Sequence, residues 1–323
     1  KIVIKLAAAF EAVGIVLLLF AFVPQFGAEG VWVSVFTAIS AFCNAGFDLF
    51  GRFGAYSSLV PYVNNYYVQA VVMFMIMAGG LGFMVWVELA EYRKKRRLSL
   101  HAKVVLQFSA IFWVGGAVLL ALLEWSNPKT MGGLSVPSKL MAALFQSVST
   151  RTAGMNTIDL AACSPISKLL MSVLQFIGAA PGSTGGGVKV TTFAVLILTI
   201  RSVAQGRDDC VIGGHHIESK TVYRALTIIV LGAVAAFGSA VVVYYNTAET
   251  VSVIDCIFES CSAFGTVGLS VGVTGQLNTG AKLLYMACMF MGRVGPASLA
   301  ISLTAKPDDN KRKVLPVGHI NVG

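Results

Sequence analysis

The chain has 323 residues, of which 56% are hydrophobic and only 12% charged. That balance cannot cover a soluble globule of this size with polar groups, so a soluble domain is excluded and an integral membrane protein is indicated. The formal net charge of +9 does not indicate nucleic-acid binding, because the cations are concentrated in the segments between apolar runs.

Apolar runs that approach the length of a membrane helix follow one another along the chain. A spanning helix needs about 20 residues, and six runs come near that length. They lie at residues 12–23 (extended back toward Lys5), 66–87, 104–123, 169–200, 225–245 and 283–305. The sequence therefore predicts an all-α membrane protein with six spanning helices, and no alternation of the β-barrel type competes with that prediction.

Basic residues are unevenly divided among the segments that join these runs. The segments after the second, fourth and sixth runs, residues 93–103, 201–224 and 306–313, carry most of the Lys and Arg residues. Cytoplasmic loops of membrane proteins are enriched in these residues. We therefore expect a multi-pass protein of the plasma (inner) membrane with its basic loops and C-terminus in the cytoplasm.

A glycine-containing segment recurs three times, each time between two apolar runs. The copies "FTAISAFCNAGFDLF" (36–50), "LFQSVSTRTAGMNTI" (144–158) and "FESCSAFGTVGLSVG" (258–272) align without gaps on Gly46, Gly154 and Gly268. The apolar stretches before these glycines, at residues 31–43, 139–150 and 251–264, are too short to cross about 30 Å of hydrocarbon. Each is therefore predicted to be a re-entrant half-helix that enters and leaves on the outer face.

Each glycine turn would place non-helical backbone at membrane depth. Unsatisfied N–H and C=O groups are tolerated there only against protein or in a water-filled cavity. Glycine permits the dihedral angles and the close approach needed where several successive carbonyls turn into such a cavity. Carbonyls arranged in this way can replace the water shell of a cation, and the partly negative C-terminal ends of the half-helices also favour a cation.

These segments resemble those of the potassium-transporter superfamily of Trk, Ktr and plant HKT proteins. "SAFCNAGFDLFG", "STRTAGMNTIDL" and "SAFGTVGLSVGVTG" are similar to its second, third and fourth pore segments, and "GAAPGSTGGGVKVTTF" and "MFMGRVGPASL" to its third and fourth M2 helices. The short basic tail resembles the bacterial Ktr type (KtrB). The resemblance implies M1–P–M2 repeats around a pseudo-four-fold pore, with three units visible and four expected.

On this resemblance the chain divides into the second unit (1–103), the third unit with a Gly-rich broken M2 (104–221), the fourth unit (222–305) and a cytoplasmic C-terminal tail (306–323). The first unit, in which a Ser in place of glycine goes with sodium preference in the superfamily, is expected to lie outside this sequence. The resemblance also implies K+ as substrate, Na+ as an activator and no covalently bound cofactor. The partners that it implies are a second copy of the chain, forming a homodimer, and a separate cytoplasmic ring of nucleotide-binding RCK subunits (KtrA-like).

Backbone carbonyls of the three copies are the candidates for a K+ selectivity filter. Their side chains differ among the copies, as expected if the ligands are main-chain oxygens. The carbonyls belong to Asn44, Ala45 and Gly46; to Thr152, Ala153 and Gly154; and to Thr266, Val267 and Gly268.

Two charged residues beside the glycine turns are candidates for supporting the filter. Arg151 precedes Gly154 by three residues, and a cation on the path of cations would repel them. We therefore expect Arg151 to turn behind the filter and to pair with an acid, for which Glu259 is the candidate by position.

The fourth apolar run cannot form one straight helix, because residues 178–193 place Pro181 and several glycines in its middle. We predict a flexible intramembrane loop beneath the filter, and the resemblance implies that this loop gates the pore. Single cations within apolar runs are costly unless paired or hydrated, so Lys189 and Arg293 are expected to line the inner pore or the gate. Snorkelling of Lys189 to the interface is the alternative. The gate candidates are Gly185, Gly186, Gly187, Lys189 and Arg293.

Two other classes of function compete with a cation pore. A secondary transporter of sodium or organic solutes also has broken helices at mid-membrane, but inverted repeats would be expected, whereas these copies run parallel. An intramembrane enzyme would need a paired acid, a Ser/Lys set or a His/Glu set inside the spans, and none is convincing. We therefore expect no catalysed chemistry.

Overall fold

The computed structural model describes residues 2–54, 56–206, 210–247 and 250–295. Within these ranges the protein is mostly helical, with one short antiparallel hairpin of β1 (Val211–Ile212) and β2 (His215–His216) and an isolated bridge between Ile177 and Val188. The predicted C-terminal tail and the last residues of the predicted fourth unit lie outside the described residues.

The helices form three consecutive groups, and each group begins with a long helix followed by a short one. The first group contains α1 (Ile2–Phe26), α2 (Glu29–Phe42), α3 (Tyr66–Gly80) and α4 (Phe83–Lys95). The second contains α5 (Leu100–Glu124), α6 (Val136–Ser149), α7 (Pro165–Phe176) and α8 (Val190–Ala204). The third contains α9 (Ser219–Asn246), α10 (Val253–Gly265) and α11 (Thr279–Val294).

The short helices α2, α6 and α10 coincide with the three predicted half-helices. They have 14, 14 and 13 residues, so each is about 20 Å long and shorter than the hydrocarbon core. Side chains cap two of them: the Ser135 hydroxyl accepts from the Ser138 N–H at the start of α6, and the Ser252 hydroxyl accepts from the Ile254 N–H at the start of α10. The sequence patterns therefore predicted both the position and the length of these elements.

Packing places the short helices inside and the long helices outside. In each group the long helix contacts the short one, and α6 further contacts α3 while α10 contacts α7. The core at these contacts includes Phe42, Phe145, Phe258 and Phe264, all at most 1% exposed. The long helices α1, α5 and α9 expose many apolar side chains, as a protein in contact with lipid does.

Three helices within the described residues are long and apolar enough to cross a membrane by themselves, namely α1, α5 and α9. The second span of the first group is the pair α3 and α4, which is bent by 99° at its break. The span after α6 is interrupted between α7 and α8, and α11 is described only as far as Val294. Among the six predicted spans, the second is therefore bent where no break was predicted, and the predicted break in the fourth run is present.

The bend between α3 and α4 follows from contacts with the loop between α7 and α8. Gly82 has φ +86°, and a Cβ there would lie 2.6 Å from the carbonyl oxygen of Pro181. The N–H of Phe83 donates to the carbonyl of Gly182 at 3.1 Å. The indole N–H of Trp86 donates to the carbonyl of Ala78 at 2.8 Å, so a carbonyl freed by the bend keeps a partner at membrane depth.

Candidate functional site

The three predicted glycine turns meet at one place in the structure. A Cβ on Gly46 would lie 3.1 Å from the Cα of Gly154 and 2.8 Å from the carbonyl oxygen of Ala153. A Cβ on Gly154 would lie 2.2 Å from the carbonyl oxygen of Val267, and one on Gly268 would lie 3.9 Å from the Cα of Gly154. Segments more than 100 residues apart in the sequence therefore place their backbones in direct contact.

The backbone has the same unusual conformation in each of the three turns. Gly46, Gly154 and Gly268 have φ values of +75°, +83° and +91°. Two residues before each glycine stands a residue with a side chain and also a positive φ: Asn44 at +50°, Thr152 at +85° and Thr266 at +52°. Non-glycine residues rarely adopt this region and Thr is not among the residues that favour it, so the repeated strain marks a shared local requirement.

Hydrogen bonds in each turn use N–H groups, and within the described part of the chain the carbonyls of residues 44–46, 152–154 and 266–268 accept no backbone hydrogen bond. The N–H of Ala45 donates to the carbonyl of Ser40, and the equivalent N–H of Val267 donates to the carbonyl of Ser262. In the middle copy the N–H of Ala153 donates to the carbonyl of Ser149. The amides thus point back at the half-helix, and the carbonyls of the turns are available to a cation.

Glycines in two other helices let those helices contact the backbone that precedes the turns. A Cβ on Gly79 of α3 would lie 1.9 Å from the carbonyl oxygen of Phe42, and one on Gly292 of α11 would lie 1.7 Å from the carbonyl oxygen of Phe264. Phe42 and Phe264 each stand four residues before the glycine of their turn. Any side chain larger than hydrogen at Gly79 or Gly292 would therefore displace the end of a half-helix.

The segment between α7 and α8, residues 177–189, is a closed loop with a hydrogen-bonded neck. The N–H of Gly178 donates to the carbonyl of Val188 at 2.8 Å, and the N–H of Val188 donates to the carbonyl of Phe176 at 3.1 Å. Beside the neck the N–H of Gly187 donates to the carbonyl of Gly292 on α11 at 3.1 Å. The N–H groups of Ala180 and Thr184 donate to the carbonyls of Gly80 and Gly79 on α3 at 3.0 and 3.2 Å. The loop is therefore closed at its neck and held by α3 and α11.

Three successive residues of this loop each contact one of the three turns. The Asn44 side-chain amide donates to the Thr184 hydroxyl at 2.9 Å. A Cβ on Gly185 would lie 2.2 Å from Oγ1 of Thr152. A Cβ on Gly186 would lie 2.2 Å from Oγ1 of Thr266. The three non-glycine residues with positive φ thus contact the loop in order: Asn44 at Thr184, Thr152 at Gly185 and Thr266 at Gly186.

Both candidate cations of the gate bind carbonyls of this same loop. Lys189 is half-buried, and its ammonium group donates to the carbonyl of Gly185 at 2.6 Å. The Arg293 guanidinium of α11 donates to the carbonyl of Thr184. Both candidate cations therefore contact the predicted gate loop, through the carbonyls of Gly185 and Thr184.

Arg151 does not pair with Glu259, so that prediction was wrong. The guanidinium of Arg151 donates to the carbonyl of Gly178 at 2.9 Å and to that of Ser109 at 3.4 Å, and it lies over the rings of Phe112 and Trp113. Arg151 is only 4% exposed. Backbone carbonyls and two aromatic faces therefore stabilise the buried charge in place of a carboxylate.

Glu259 instead binds the chain that follows its own glycine turn. Its carboxylate accepts from the Ser270 and Thr274 hydroxyls, each at 2.6 Å, and from the N–H groups of Val271 and Thr274 at 3.0 and 2.9 Å. Glu259 is 3% exposed. Four donors on residues 270–274 satisfy the carboxylate, because the chain that follows the Gly268 turn folds back over α10, which carries Glu259.

Two features of the site were not predicted from the sequence. One is the contact of the Asn44 amide with Thr184, and the other is the docking of the α3–α4 bend on the loop through Gly82. The repeated glycines of "MAGGLGF" were a signal for a break as well as for close packing. The Asn44–Thr184 contact joins residues 140 apart in sequence, and nothing in either local pattern indicates it.

Comparison with known proteins shows the family of this chain. The family model described as "TrkH: Cation transport protein" matches residues 1–313. The chain belongs to the TrkH family of cation transport proteins. The resemblance to the Trk, Ktr and HKT superfamily is therefore confirmed, and the protein is a multi-pass membrane protein.

Individual relatives are similar over most of the chain. The potassium/sodium uptake protein NtpJ of Enterococcus hirae is 37% identical over 94% of this chain and 67% of its own length. The Ktr system potassium uptake protein B of Bacillus subtilis is 33% identical over the whole chain and 71% of its own length. The crystal structure of the potassium transporter TrkH from Vibrio parahaemolyticus matches with a TM-score of 0.69 at 20% identity, over 89% of this chain and 62% of its own. That structure supports the fold, and the chain spans less than two thirds of it.

Proposed function

We propose that this chain carries potassium ions across the plasma membrane through a filter of backbone carbonyls. The observation that supports the proposal most is the meeting of three glycine turns with the same positive φ values at one point. The names of relatives at 33–37% identity, which are potassium or potassium/sodium uptake proteins, support K+ as the ion.

The filter would consist of the main-chain oxygens of residues 44–46, 152–154 and 266–268. In each turn an N–H group is bonded to the half-helix, and the carbonyls can replace the water around a monovalent cation. The C-terminal ends of α2, α6 and α10 lead directly into the turns and add partial negative charge. A complete ring would require the fourth M1–P–M2 unit that the family resemblance implies.

The loop of residues 177–189 is the proposed gate of this pore. It contacts the three turns through Thr184, Gly185 and Gly186, and it is tied by Lys189 and Arg293. Both cations bind loop carbonyls and so help to hold the loop against the turns. Release of the ties would let the loop move aside from the turns.

Partners, topology and regulation are proposals that the family resemblance supports. We expect a homodimer, a cytoplasmic RCK ring as a separate polypeptide and activation by Na+, and the word "system" in the names of the Ktr relatives fits a membrane subunit with other components. The basic segments after the second, fourth and sixth apolar runs would face the cytoplasm.

One structural feature also fits the secondary-transporter alternative. The second span of the first group and that of the second group are both discontinuous, and discontinuous spans are typical of solute-coupled transporters. The parallel order of the three groups favours the pore. A measurement of whether K+ flux is coupled to the movement of a second ion or solute therefore decides between the pore and the secondary transporter more directly than the fold does.

The test is rubidium or potassium flux through the complete protein, reconstituted in proteoliposomes, with sodium as competitor. A pore predicts flux that follows the electrochemical gradient of K+ alone and reverses at the K+ equilibrium potential. A reversal potential that requires a fixed ratio of K+ to a second ion would support the transporter instead. Absence of any K+ or Rb+ flux from a folded, inserted protein would contradict the potassium pore.

A further inference from the structure

An unbroken run of cations, residues 93–97, stands at the end of α4 and just before the membrane-crossing helix α5. Helix α5 has 25 residues, so it is about 37 Å long and longer than the roughly 30 Å of hydrocarbon. Its first residues, which begin at Leu100, therefore lie at the level of the lipid headgroups. The run of cations precedes them directly and lies at the same surface of the bilayer.

Contacts between α4 and α5 hold the turn that carries these cations in a defined position. The carboxylate of Glu88 accepts from the N–H of Ser99 at 2.9 Å and from its hydroxyl at 2.8 Å. Arg96 has φ +49°, and its N–H donates to the carbonyl of Tyr92 at 2.8 Å, which ends α4. Beneath the turn the two helices share an apolar core that includes Val85, Leu89, Leu98, Ala102 and Val105.

Two of the cations and a tyrosine line an open cleft of about 330 Å³ at this turn, namely Tyr92, Arg93 and Arg96. All three side chains are exposed. The neighbouring Lys95 is neutralised by Glu91, whose carboxylate lies 2.6 Å from the Lys95 ammonium. Arg93 and Arg96 form no ion pair within the described ranges of the chain. The cleft therefore presents two uncompensated guanidinium groups and no carboxylate.

This set of donors fits a phosphate group. A guanidinium is a planar fork that can donate two parallel hydrogen bonds to phosphate oxygens, and it remains charged at any physiological pH. A tyrosine hydroxyl adds a further donor, and tyrosine is enriched where membrane proteins meet the headgroups. Clusters of Lys and Arg directly beside a membrane helix are typical of binding to anionic lipids.

We propose that Tyr92, Arg93 and Arg96 bind the phosphate of an anionic phospholipid at the bilayer surface. Position favours a lipid over a soluble phosphate, because α4 is bent by 99° from α3 and so leaves the direction of the span. Met84 near its start is 66% exposed, whereas its end is basic. Exposed apolar and basic groups on one helix are typical of an interfacial helix. The inference goes beyond the proposed function and does not depend on which ion is carried.

The experiment titrates the complete detergent-solubilised protein with dioctanoyl phosphatidylglycerol and measures the bound lipid by native mass spectrometry. Dioctanoyl phosphatidylcholine, which has no net charge, is titrated in parallel. Glycerol phosphate, which carries the anionic group without acyl chains, is the third probe. We expect phosphatidylglycerol to bind about tenfold more tightly than either of the other two compounds, because the site needs both the negative charge and the chains.

Arg93→Gln/Arg96→Gln should weaken the binding of phosphatidylglycerol about tenfold or more, because both guanidinium groups of the cleft are lost. Lys94→Gln/Arg97→Gln is the matched control. It removes the same charge from the same run, but neither residue lines the cleft, so we expect a change of less than about threefold. Arg93→Lys/Arg96→Lys keeps both charges without the planar forks and should retain only part of the affinity. This pair gives a second comparison with the wild type should the glutamine pair fail to fold.

Several results would overturn the lipid site. Equal weakening by the two glutamine pairs would show that diffuse charge alone attracts the lipid, and phosphatidylcholine bound as tightly as phosphatidylglycerol would show that charge is not needed. Glycerol phosphate bound as tightly as the lipid would identify a soluble anion as the ligand. Unchanged lipid binding by Arg93→Gln/Arg96→Gln, with loss of a co-purifying cytoplasmic protein, would identify a protein contact instead.

Rubidium flux through the same preparations separates this inference from the proposed function. A wild type that conducts rubidium while both glutamine pairs bind the lipid equally well would leave the pore in place and remove the lipid site. A wild type that binds phosphatidylglycerol through the cleft but conducts neither rubidium nor potassium would contradict the proposed function and support the lipid site.

Discussion

At the scale of single residues, Gly154 has the least room of the three turn glycines. Its φ is +83°, and a Cβ would lie 2.2 Å from the carbonyl oxygen of Val267. The Cβ position is fixed by the backbone of Gly154 and the contacted oxygen belongs to the backbone of Val267, so no side-chain rotation can relieve the contact. The left-handed region itself costs a residue with a Cβ about 1–2 kcal/mol.

We therefore expect Gly154→Ala to reduce potassium uptake by about tenfold or more, because the added Cβ must displace the carbonyl of Val267. Rubidium uptake by cells that lack their own potassium uptake systems measures the effect. The matched control is Gly115→Ala, since Gly115 lies within α5 and has open space where a Cβ would stand. Uptake by Gly154→Ala equal to that of the control would contradict the filter assignment.

At the scale of elements, two cationic side chains donate hydrogen bonds to carbonyls of the loop of residues 177–189. The Lys189 ammonium donates to the carbonyl of Gly185, and Arg293 on α11 donates to that of Thr184. A glycine-rich loop without such contacts would have high conformational entropy. The two cations therefore bias the loop toward the position in which it contacts the turns.

We expect Lys189→Met to raise the flux of K+ severalfold, because the Gly185 carbonyl loses its donor and the loop leaves the turns more often. Lys189→Arg is the matched control, since it keeps a positive donor and should remain within about twofold of the wild type. Single-channel or proteoliposome flux at a fixed potential is the measurement. A flux that falls equally in both variants would show that Lys189 does not act by holding the loop.

At the scale of the whole molecule, one buried ion pair joins the second and third helical groups near the starts of α7 and α10. The Lys168 ammonium lies 2.7 Å from a carboxylate oxygen of Asp255, and the two side chains are 10% and 22% exposed. Removing one partner of a buried pair leaves an uncompensated charge. The contact of α7 with α10 should therefore depend on this pair.

Lys168→Met should lower the free energy of unfolding by about 2–3 kcal/mol, and a second change, Asp255→Asn, should recover part of that loss. Thermal or denaturant unfolding in detergent measures both. Lys95→Met is the control, because Lys95 pairs with Glu91 on the exposed end of α4 and such pairs contribute about 0.3–0.5 kcal/mol. Equal losses in Lys168→Met and Lys95→Met would mean that the α7–α10 contact does not need its ion pair.

The sequence by itself determined the elements whose cause is local. Apolar runs and glycine spacing predicted the half-helices, the alignment of Gly46 with Gly154 and Gly268, and the break around Pro181, because helix length, backbone freedom and the missing N–H of proline act within a few residues. Each of these features depends on residues close to it in the sequence and not on contacts with distant segments.

Only the tertiary structure decided which groups meet. Arg151 binds the carbonyls of Gly178 and Ser109 in place of Glu259, and the span predicted over residues 66–87 bends at Gly82 where the loop docks. A buried charge accepts any adequate set of oxygens or aromatic faces, and a glycine bends a helix only if a neighbour satisfies the freed backbone. Both outcomes depend on groups up to 100 residues away, so no local pattern could have fixed them.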